Sequence, residues 1–226
     1  MIVRVEGGRV LQAFQFALDP TPVQDAELRS HCGAQRFAYN WGLALITANL
    51  AQRAAERSYG IPTDRLTPQM HWSAYSLRKH RNQAKDQAAP WWPDNSKEAY
   101  SSGLANLATA LTNWQDSRTG RRRGPTVRFP RFKGKRAGMS CRFTTGAFGM
   151  ADIDRRHVKL PRIGLVRTHE STRTPRAACR AGHLPRPVRH RDASRRPVVR
   201  VILRRDHPRR PADHAASASG GRGPGR

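Results

Sequence analysis

The spacing of apolar residues changes from helical to β periodicity near residue 120. An alternating run at residues 10–18 predicts an early strand, which the Asp19-Pro20 pair ends. A later stripe at helical spacing predicts a helix with one buried face, and its members are Leu104, Leu107, Leu111 and Trp114. Beyond residue 120 short alternating segments predict strands at 126–129, 140–144 and 157–160. The order of these patterns predicts an α+β fold.

Two further helices are predicted at residues 21–32 and 34–57. The first has a capping sequence, because Thr21 can cap, Pro22 takes the first helical position, and Gln24 follows the cap by three residues. Gly33 suits a turn between the two helices, so the pair is a candidate helix-turn-helix that places one helix in a DNA major groove.

The alternative for the same region is an ordinary helical hairpin. The second helix carries Phe37, Trp41 and Leu45 at the spacing of a buried face, which favours packing. A weaker helix is predicted at 68–85, with Trp72, Tyr75 and Leu77 buried and with Arg78, Lys79 and Arg81 exposed. Asn95 is the predicted cap of the helix that carries the leucine stripe.

Residues 174–226 differ in composition from the rest of the chain. They contain no aromatic residue, Lys, Glu, Asn, Gln or Met, but 14 Arg and 7 Pro. Such a segment cannot bury enough apolar surface to offset its ordering entropy, so we expect it to be disordered. Its amino-acid composition is also typical of a GC-rich gene translated in the wrong reading frame. We therefore expect a frame change near Arg173, with this chain being the first part of a longer protein.

The formal charge of +26 is concentrated in the second half of the chain. Residues 1–117 carry 12 Lys and Arg against 10 acids, whereas residues 118–173 carry 16 against 3. A basic field of this size favours nucleic acid as the partner, because each neutralised phosphate releases counterions. No segment approaches the roughly 20 apolar residues of a membrane span. The three isolated cysteines predict a reducing cytosol rather than a disulfide framework.

One basic segment combines cations with aromatic rings between residues 121 and 136. Its cations can contact phosphates, and Phe129 or Phe132 can stack on bases; the alternative is a solvated basic loop with both rings buried. The predicted nucleic-acid-binding residues are Arg121, Arg122, Arg123, Arg128, Arg131, Phe132, Lys133, Lys135 and Arg136, together with Arg36 on the earlier helix.

Acidic residues are scarce where this basic charge lies. Metal-dependent cleavage of phosphodiesters needs two or three converging carboxylates, and residues 118–173 offer only Asp152, Asp154 and Glu170. We interpret Asp152 and Asp154 as turn acids that balance Arg155 and Arg156, and we assign no catalytic residue. Nor does the sequence predict a metal site, because it contains no Cys-x-x-Cys pair. We expect no cofactor and no small-molecule substrate for this chain.

Several motifs resemble the TnpB-type (OrfB) transposases, and they occur in the family's order over residues 9 to about 172. The first is Thr21-Pro-Val-Gln24, like the family's helix start, followed by Gly33-Ala-Gln-Arg36-Phe-Ala-Tyr39-Asn40. The others are Pro130-Arg-Phe132-Lys133-Gly-Lys135 and Val158-Lys-Leu160-Pro161-Arg-Ile-Gly164.

The resemblance implies a mobile-element protein that binds a guide RNA and cleaves DNA with a RuvC-like nuclease domain, which needs Mg²⁺ and a structural Zn²⁺. It also implies a wedge-like β-barrel interrupted by a helical recognition domain. On this basis residues 1–20 are the first wedge element, 21–119 the helical domain, 120–173 the basic β domain and 174–226 the tail. The family's acidic triad and paired cysteines have no matching positions in this sequence.

Three interpretations follow from the sequence. The first is a truncated transposase-associated protein that binds structured RNA or DNA but cannot cleave. The second is a self-contained basic helix-turn-helix DNA-binding protein, and the third is the product of a decayed pseudogene. The nucleotide sequence beyond codon 173 distinguishes them, because a nuclease domain in another frame favours the first or the third.

Overall fold

The computed structural model describes residues 2–6, 9–13, 16–135, 139–143, 149–150, 154–172 and 199–203. Three helices dominate the first half: α1 (Pro22–Ser58), α2 (Ala74–Ala88) and α3 (Lys97–Arg118). Short 3-10 turns at Thr63–Arg65 and Trp92–Asp94 lie before α2 and α3 respectively. No helix in these ranges is long and apolar enough to cross a membrane.

Eight short strands form three antiparallel sheets within the described ranges. Strands β1 (Ile2–Glu6) and β2 (Arg9–Ala13) form a hairpin. The largest sheet has the order β3-β7-β6-β5, and its strands are β3 (Leu18–Asp19), β5 (Gly149–Met150), β6 (His157–Leu160) and β7 (Gly164–Thr168). The third sheet pairs β4 (Met139–Phe143) with β8 (Val199–Leu203). The α+β class is confirmed, and closure into a barrel stays a prediction.

The early helical region is one continuous helix of 37 residues. Its predicted start is confirmed: the Gln24 N–H donates to Thr21 Oγ1, and the Thr21 N–H donates to Gln24 Oε1. The predicted break at Gly33 is wrong, because Gly33 is helical and α1 continues through it. A helix this long tolerates internal glycines such as Gly33, each of which costs about 1 kcal/mol relative to alanine.

The larger hydrophobic core lies where α1 crosses α3, with α2 packed against them. Leu43 and Ile46 of α1 meet the leucine stripe of α3, in which Leu104, Leu107 and Leu111 are fully buried. Glycine permits the close crossing: a Cβ built on Gly103 would lie 2.2 Å from the Gln35 carbonyl oxygen. The leucine stripe predicted from periodicity is therefore confirmed as the centre of the helical unit.

A second core joins the N-terminal part of α1 to the sheets. Leu28 and Cys32 of α1 pack with Cys141, Phe143 and three residues of the β6–β7 hairpin, namely Leu160, Ile163 and Val166. The side chain of Gln24 adds a polar link, because its Nε2 donates to the Leu165 carbonyl over 2.8 Å. Helix α1 thus contributes to both cores.

Several local predictions need correction. Residues 126–129 form no strand; they are irregular chain that a hydrogen bond from the Val127 N–H to Ser117 attaches to α3. Arg81 is buried rather than exposed, because its guanidinium stacks 3.8 Å from the centre of the Tyr100 ring, whereas Tyr75 is exposed. The cap of α3 is Ser96, whose Oγ accepts from the Glu98 N–H, and not Asn95.

The tail also differs from its prediction at one place. Residues Val199–Leu203 form β8, which pairs with the whole of β4, whereas we expected 174–226 to be disordered throughout. The physical reason is local composition, because this is the tail's one run of β-branched and aliphatic residues, and such residues favour strands. The remainder of the predicted disordered tail lies outside the described residues.

A buried histidine connects α1 with the start of α3. His31 Nδ1–H donates to the Glu27 carbonyl (2.8 Å), and its Nε2 accepts from the Ser96 N–H (3.0 Å). Because a carbonyl can only accept and an N–H can only donate, these partners require the neutral ring. Burial lowers the pKa of His31, against a smaller opposing effect of the Glu27 hydrogen bond.

We expect Gly103→Ala to destabilise the fold by about 1–3 kcal/mol, because the new methyl group must push α1 and α3 apart. Gly33→Ala is the matched control, since a Cβ there meets nothing within 4 Å. It should stabilise the helix by about 0.5–1 kcal/mol. Urea unfolding of both variants checks the pair. Destabilisation by Gly33→Ala would contradict a continuous α1.

We expect stability to fall as pH drops below 6.5, because His31 binds a proton more readily in the unfolded chain than in the folded one. The loss amounts to at most about 1.4 kcal/mol per pH unit and ends below the folded-state pKa. Thermal unfolding between pH 7.5 and 5 measures it. His31→Gln should flatten this dependence, and His71→Gln, which changes an exposed histidine, should leave it intact. Equal slopes in all three proteins would contradict the assignment.

Candidate nucleic-acid interface

The basic segment follows α3 through a turn and several bends, and its start is attached to that helix. The Arg122 N–H donates to the Asp116 carbonyl over 3.1 Å, and the Val127 N–H donates to Ser117 Oγ over 2.9 Å. Arg121 Nε also lies 4.0 Å from a carboxylate oxygen of Asp116. These contacts hold the backbone of the segment close to α3, while most of its cations stay exposed.

Phe129 belongs to the helical core. Its ring meets Trp114 edge to face, with 5.0 Å between ring centres, and Trp114 in turn contacts Trp72 at 6.4 Å. Such T-shaped pairs stabilise a fold by about 0.5–1.5 kcal/mol beyond the burial of area. Of the two alternatives for these rings, burial rather than base stacking therefore applies to Phe129.

Asn40 of α1 holds the far end of the segment by a reciprocal pair of hydrogen bonds. Its Nδ2 donates to the Lys133 carbonyl (3.0 Å), and its Oδ1 accepts from the Lys133 N–H (2.8 Å). One amide side chain thus satisfies both backbone groups of a residue 93 positions away. We call this pair the Asn40 clamp.

The side chain of Lys133 turns back onto α1. Its Nζ lies 4.0 Å from the centre of the Tyr39 ring, a cation–π contact. Tyr39 itself is buried, and burial raises the pKa of its hydroxyl. Tyr39 and Asn40 are adjacent in sequence and both engage Lys133, so two residues of α1 set the position of this part of the segment.

Phe132 has the opposite environment to Phe129. It directly precedes the clamped residue, and 60% of its surface is exposed. The exposed cations on the segment are Arg121, Arg122, Arg123, Arg128, Arg131 and Lys135. Arg136, the last predicted binding residue, lies outside the described residues. The structure thus brings together seven predicted cations and one exposed ring along one stretch of chain.

Arg36 lies one turn before Asn40 on the same face of α1 and is half-buried. Its charge acts on the Cys32 thiol: a hydrogen bond with Cys141 lowers the pKa of Cys32 against the effect of burial, and Arg29 and Arg36 lower it further. The same hydrogen bond, together with burial, raises the pKa of Cys141. Both of these thiols are free, and the third of the cysteines that the sequence analysis considered, Cys179, lies outside the described residues.

The described acids of the β region are engaged in structural contacts. Asp154 accepts from the Arg156 N–H (2.8 Å) and lies 2.6 Å from His157 Nδ1, and the Arg156 hydrogen bond is the main cause that lowers the pKa of Asp154. Glu170 Oε2 accepts from the Ala17 N–H over 2.8 Å. Asp152 lies outside the described ranges. Within those ranges no three His, Cys, Asp or Glu side chains form a cluster that could hold a metal ion.

The chain is similar to known proteins, both to a family model and to individual sequences. Residues 10–54, which include most of α1, match a family model described as a helix-turn-helix domain, that of OrfB-type proteins of the IS605 group. The chain is 41% identical to the Mycobacterium tuberculosis protein named "Putative RNA-guided DNA endonuclease Rv2885c", over 93% of this chain and 46% of that protein. It is 29% identical to "Putative RNA-guided DNA endonuclease InsQ" of Escherichia coli, over 71% of this chain and 34% of that protein.

The match identifies a helix-turn-helix domain of the OrfB type, a kind found in transposase-related proteins, within the α+β fold of this chain. The chain is similar to TnpB-type (OrfB) proteins, through the domain match at residues 10–54 and through the longer similarity to the named relatives. The resemblance inferred from its motifs is thereby confirmed. The helix-turn-helix name describes the family, and in this chain the matched part of α1 runs without a break at Gly33.

The comparisons also show how much of each relative's length this chain covers. The chain spans about half the length of the Mycobacterium tuberculosis relative and about a third of the Escherichia coli one. Residues 1–173 are about three quarters of the chain, so a similarity that covers 93% of it continues beyond Arg173. The frame change near Arg173 stays a prediction, and this continuity weighs against it.

Proposed function

We propose that this chain binds nucleic acid through the basic segment, with its exposed cations on phosphates and with structured RNA or DNA as the ligand. The observation that carries the proposal is the anchored basic segment: its backbone is held at both ends, at Asp116 and Ser117 and again at Asn40, while six cations remain exposed. Pre-positioned cations lose less conformational entropy on binding than cations on a free loop. The relatives are named "Putative RNA-guided DNA endonuclease", and these names support RNA as one ligand.

A second candidate is DNA binding through α1 in the manner of a helix-turn-helix protein. The family match over residues 10–54 favours it. Against it stands the burial of α1, whose faces pack into both cores: Leu28 and Cys32 in one, Leu43 and Ile46 in the other. The exposed positions of α1 carry only two cations, Arg29 and Arg57, so we favour the basic segment.

We further propose that the chain binds without cleaving. The support is the structural use of its described acids, because Asp154 and Glu170 in the β region accept hydrogen bonds from the backbone. On this proposal the acids Asp154 and Glu170 stabilise the fold and do not hold a catalytic metal ion, and the frame change near Arg173 remains a separate prediction. Sequencing the gene beyond codon 173 tests that prediction.

The first prediction from this proposal concerns salt. Replacing Arg123, Arg128 and Arg131 by Ala in the full chain should flatten the log–log salt dependence of binding by up to about 2 to 3 units, because each lost phosphate contact removes about 0.7–0.9. The matched control replaces three cations of the helical unit, Arg57, Arg78 and Lys79, and removes the same charge.

Fluorescence anisotropy with a labelled RNA hairpin and a labelled DNA duplex, from 50 to 300 mM salt, provides the slopes. Equal flattening in the two triple variants would mean that net charge alone governs binding and would contradict the proposal. Replacing Arg29 and Arg36 together tests the helix-turn-helix candidate, because a larger loss from that change would favour α1 as the binding element.

The second prediction concerns cleavage. The full chain should not nick supercoiled DNA in the presence of Mg²⁺, with or without bound RNA, because a two-metal mechanism needs converging carboxylates. The assay is agarose-gel conversion of supercoiled to open-circular plasmid. Asp154→Asn is the control variant, and Asp152→Ala tests the neighbouring acid. Nicking that copurifies with the protein and disappears in either variant would overturn the prediction.

A further inference from the structure

The two phenylalanines of the basic segment differ in environment although only two residues separate them. Phe129 is packed edge to face on Trp114, so its ring is not available to a ligand. Phe132 is 60% exposed, and Arg131 beside it is exposed as well. An exposed aromatic ring among exposed cations has the composition of a stacking site for a single-stranded base.

We propose that Phe132 stacks on an unpaired base, and that the basic segment is therefore a binding site for single-stranded nucleic acid. This inference rests on the proposed function and adds the class of ligand. A base paired in a duplex has its faces covered by its neighbours, so a side chain can stack on it only after it is unstacked, which costs a few kcal/mol. A base in a single strand offers its face directly.

The Asn40 clamp fixes the backbone next to Phe132. Both backbone groups of Lys133 are hydrogen-bonded to Asn40, at 3.0 and 2.8 Å, so the chain immediately after Phe132 is fixed to α1. The Lys133 ammonium is held over Tyr39 at 4.0 Å. Tyr39 and Asn40 are thus positioning residues: they act on the ligand through Lys133 and Phe132 and not by touching it.

The test uses the full chain and a single-stranded DNA that contains one 2-aminopurine, whose fluorescence is quenched when it stacks. The matching duplex serves as the second ligand. Phe132→Leu keeps an apolar side chain but removes the aromatic face. We expect it to weaken single-strand binding at least about five-fold, equally at every salt concentration, and to abolish the quenching. Duplex binding and the salt slope should not change.

Two variants serve as matched comparisons. Phe132→Trp should retain both affinity and quenching, since tryptophan also presents a stacking face. Tyr75→Leu removes another highly exposed aromatic residue, on α2, and should change nothing. Asn40→Ala removes both hydrogen bonds of the clamp and should reduce the quenching although Phe132 is still present. Full quenching in Asn40→Ala would overturn the positioning role of Asn40.

The outcomes separate the inference from the proposed function. A wild-type chain that binds neither the single strand nor the duplex contradicts the proposed function. A chain that binds both, but for which Phe132→Leu changes neither affinity nor quenching, contradicts the stacking site alone. Equal weakening on single strand and duplex, without a change in quenching, would also overturn it, because it would show a loss unrelated to base stacking.

Discussion

Continuity of α1 is the constraint on which the rest of the described structure depends. One rigid helix supplies Leu28 and Cys32 to the core under the sheets and Leu43 and Ile46 to the core of the helical unit. A break at Gly33 would separate these two groups of contacts, and each core would then lose its fixed relation to the other. The same helix carries Asn40, so the position of the basic segment depends on it as well.

Local signals in the sequence predicted the local features of the fold. The capping box at Thr21 and Gln24 and the leucine stripe of α3 need only neighbours in sequence, and both are confirmed. Gly33 misled because glycine is compatible with a turn and with a helix interior, and the packing on both sides of it decided for the helix. Arg81 was misjudged because its buried partner is a ring on another helix, which no spacing within α2 reveals.

The sequence predicted the candidate site only in part, because the contacts that position it join residues far apart in the chain. The cations and the two phenylalanines were recognised from composition, but which ring is packed depends on Trp114, and no local pattern distinguishes Phe129 from Phe132. The Asn40 clamp joins residues 93 positions apart. The Tyr39-Asn40 pair stood out only as part of a family motif. The structure supplies the physical reason for that motif, since both residues engage Lys133.

Along the basic segment, mainly neutral groups hold the backbone, and most of the charged groups stay exposed. Contacts that hold its backbone come from Asn40, Ser117 and the Asp116 carbonyl, so anchoring uses few of the cations. Had the segment been fixed by ion pairs instead, each anchoring carboxylate would have neutralised a cation meant for a phosphate. Neutral anchors limit that conflict, although Arg121 Nε does lie 4.0 Å from the Asp116 carboxylate. A segment can therefore be held firmly on a protein and still present nearly its full positive charge to a polyanion, and the scarcity of acids in residues 118–173 is consistent with this arrangement.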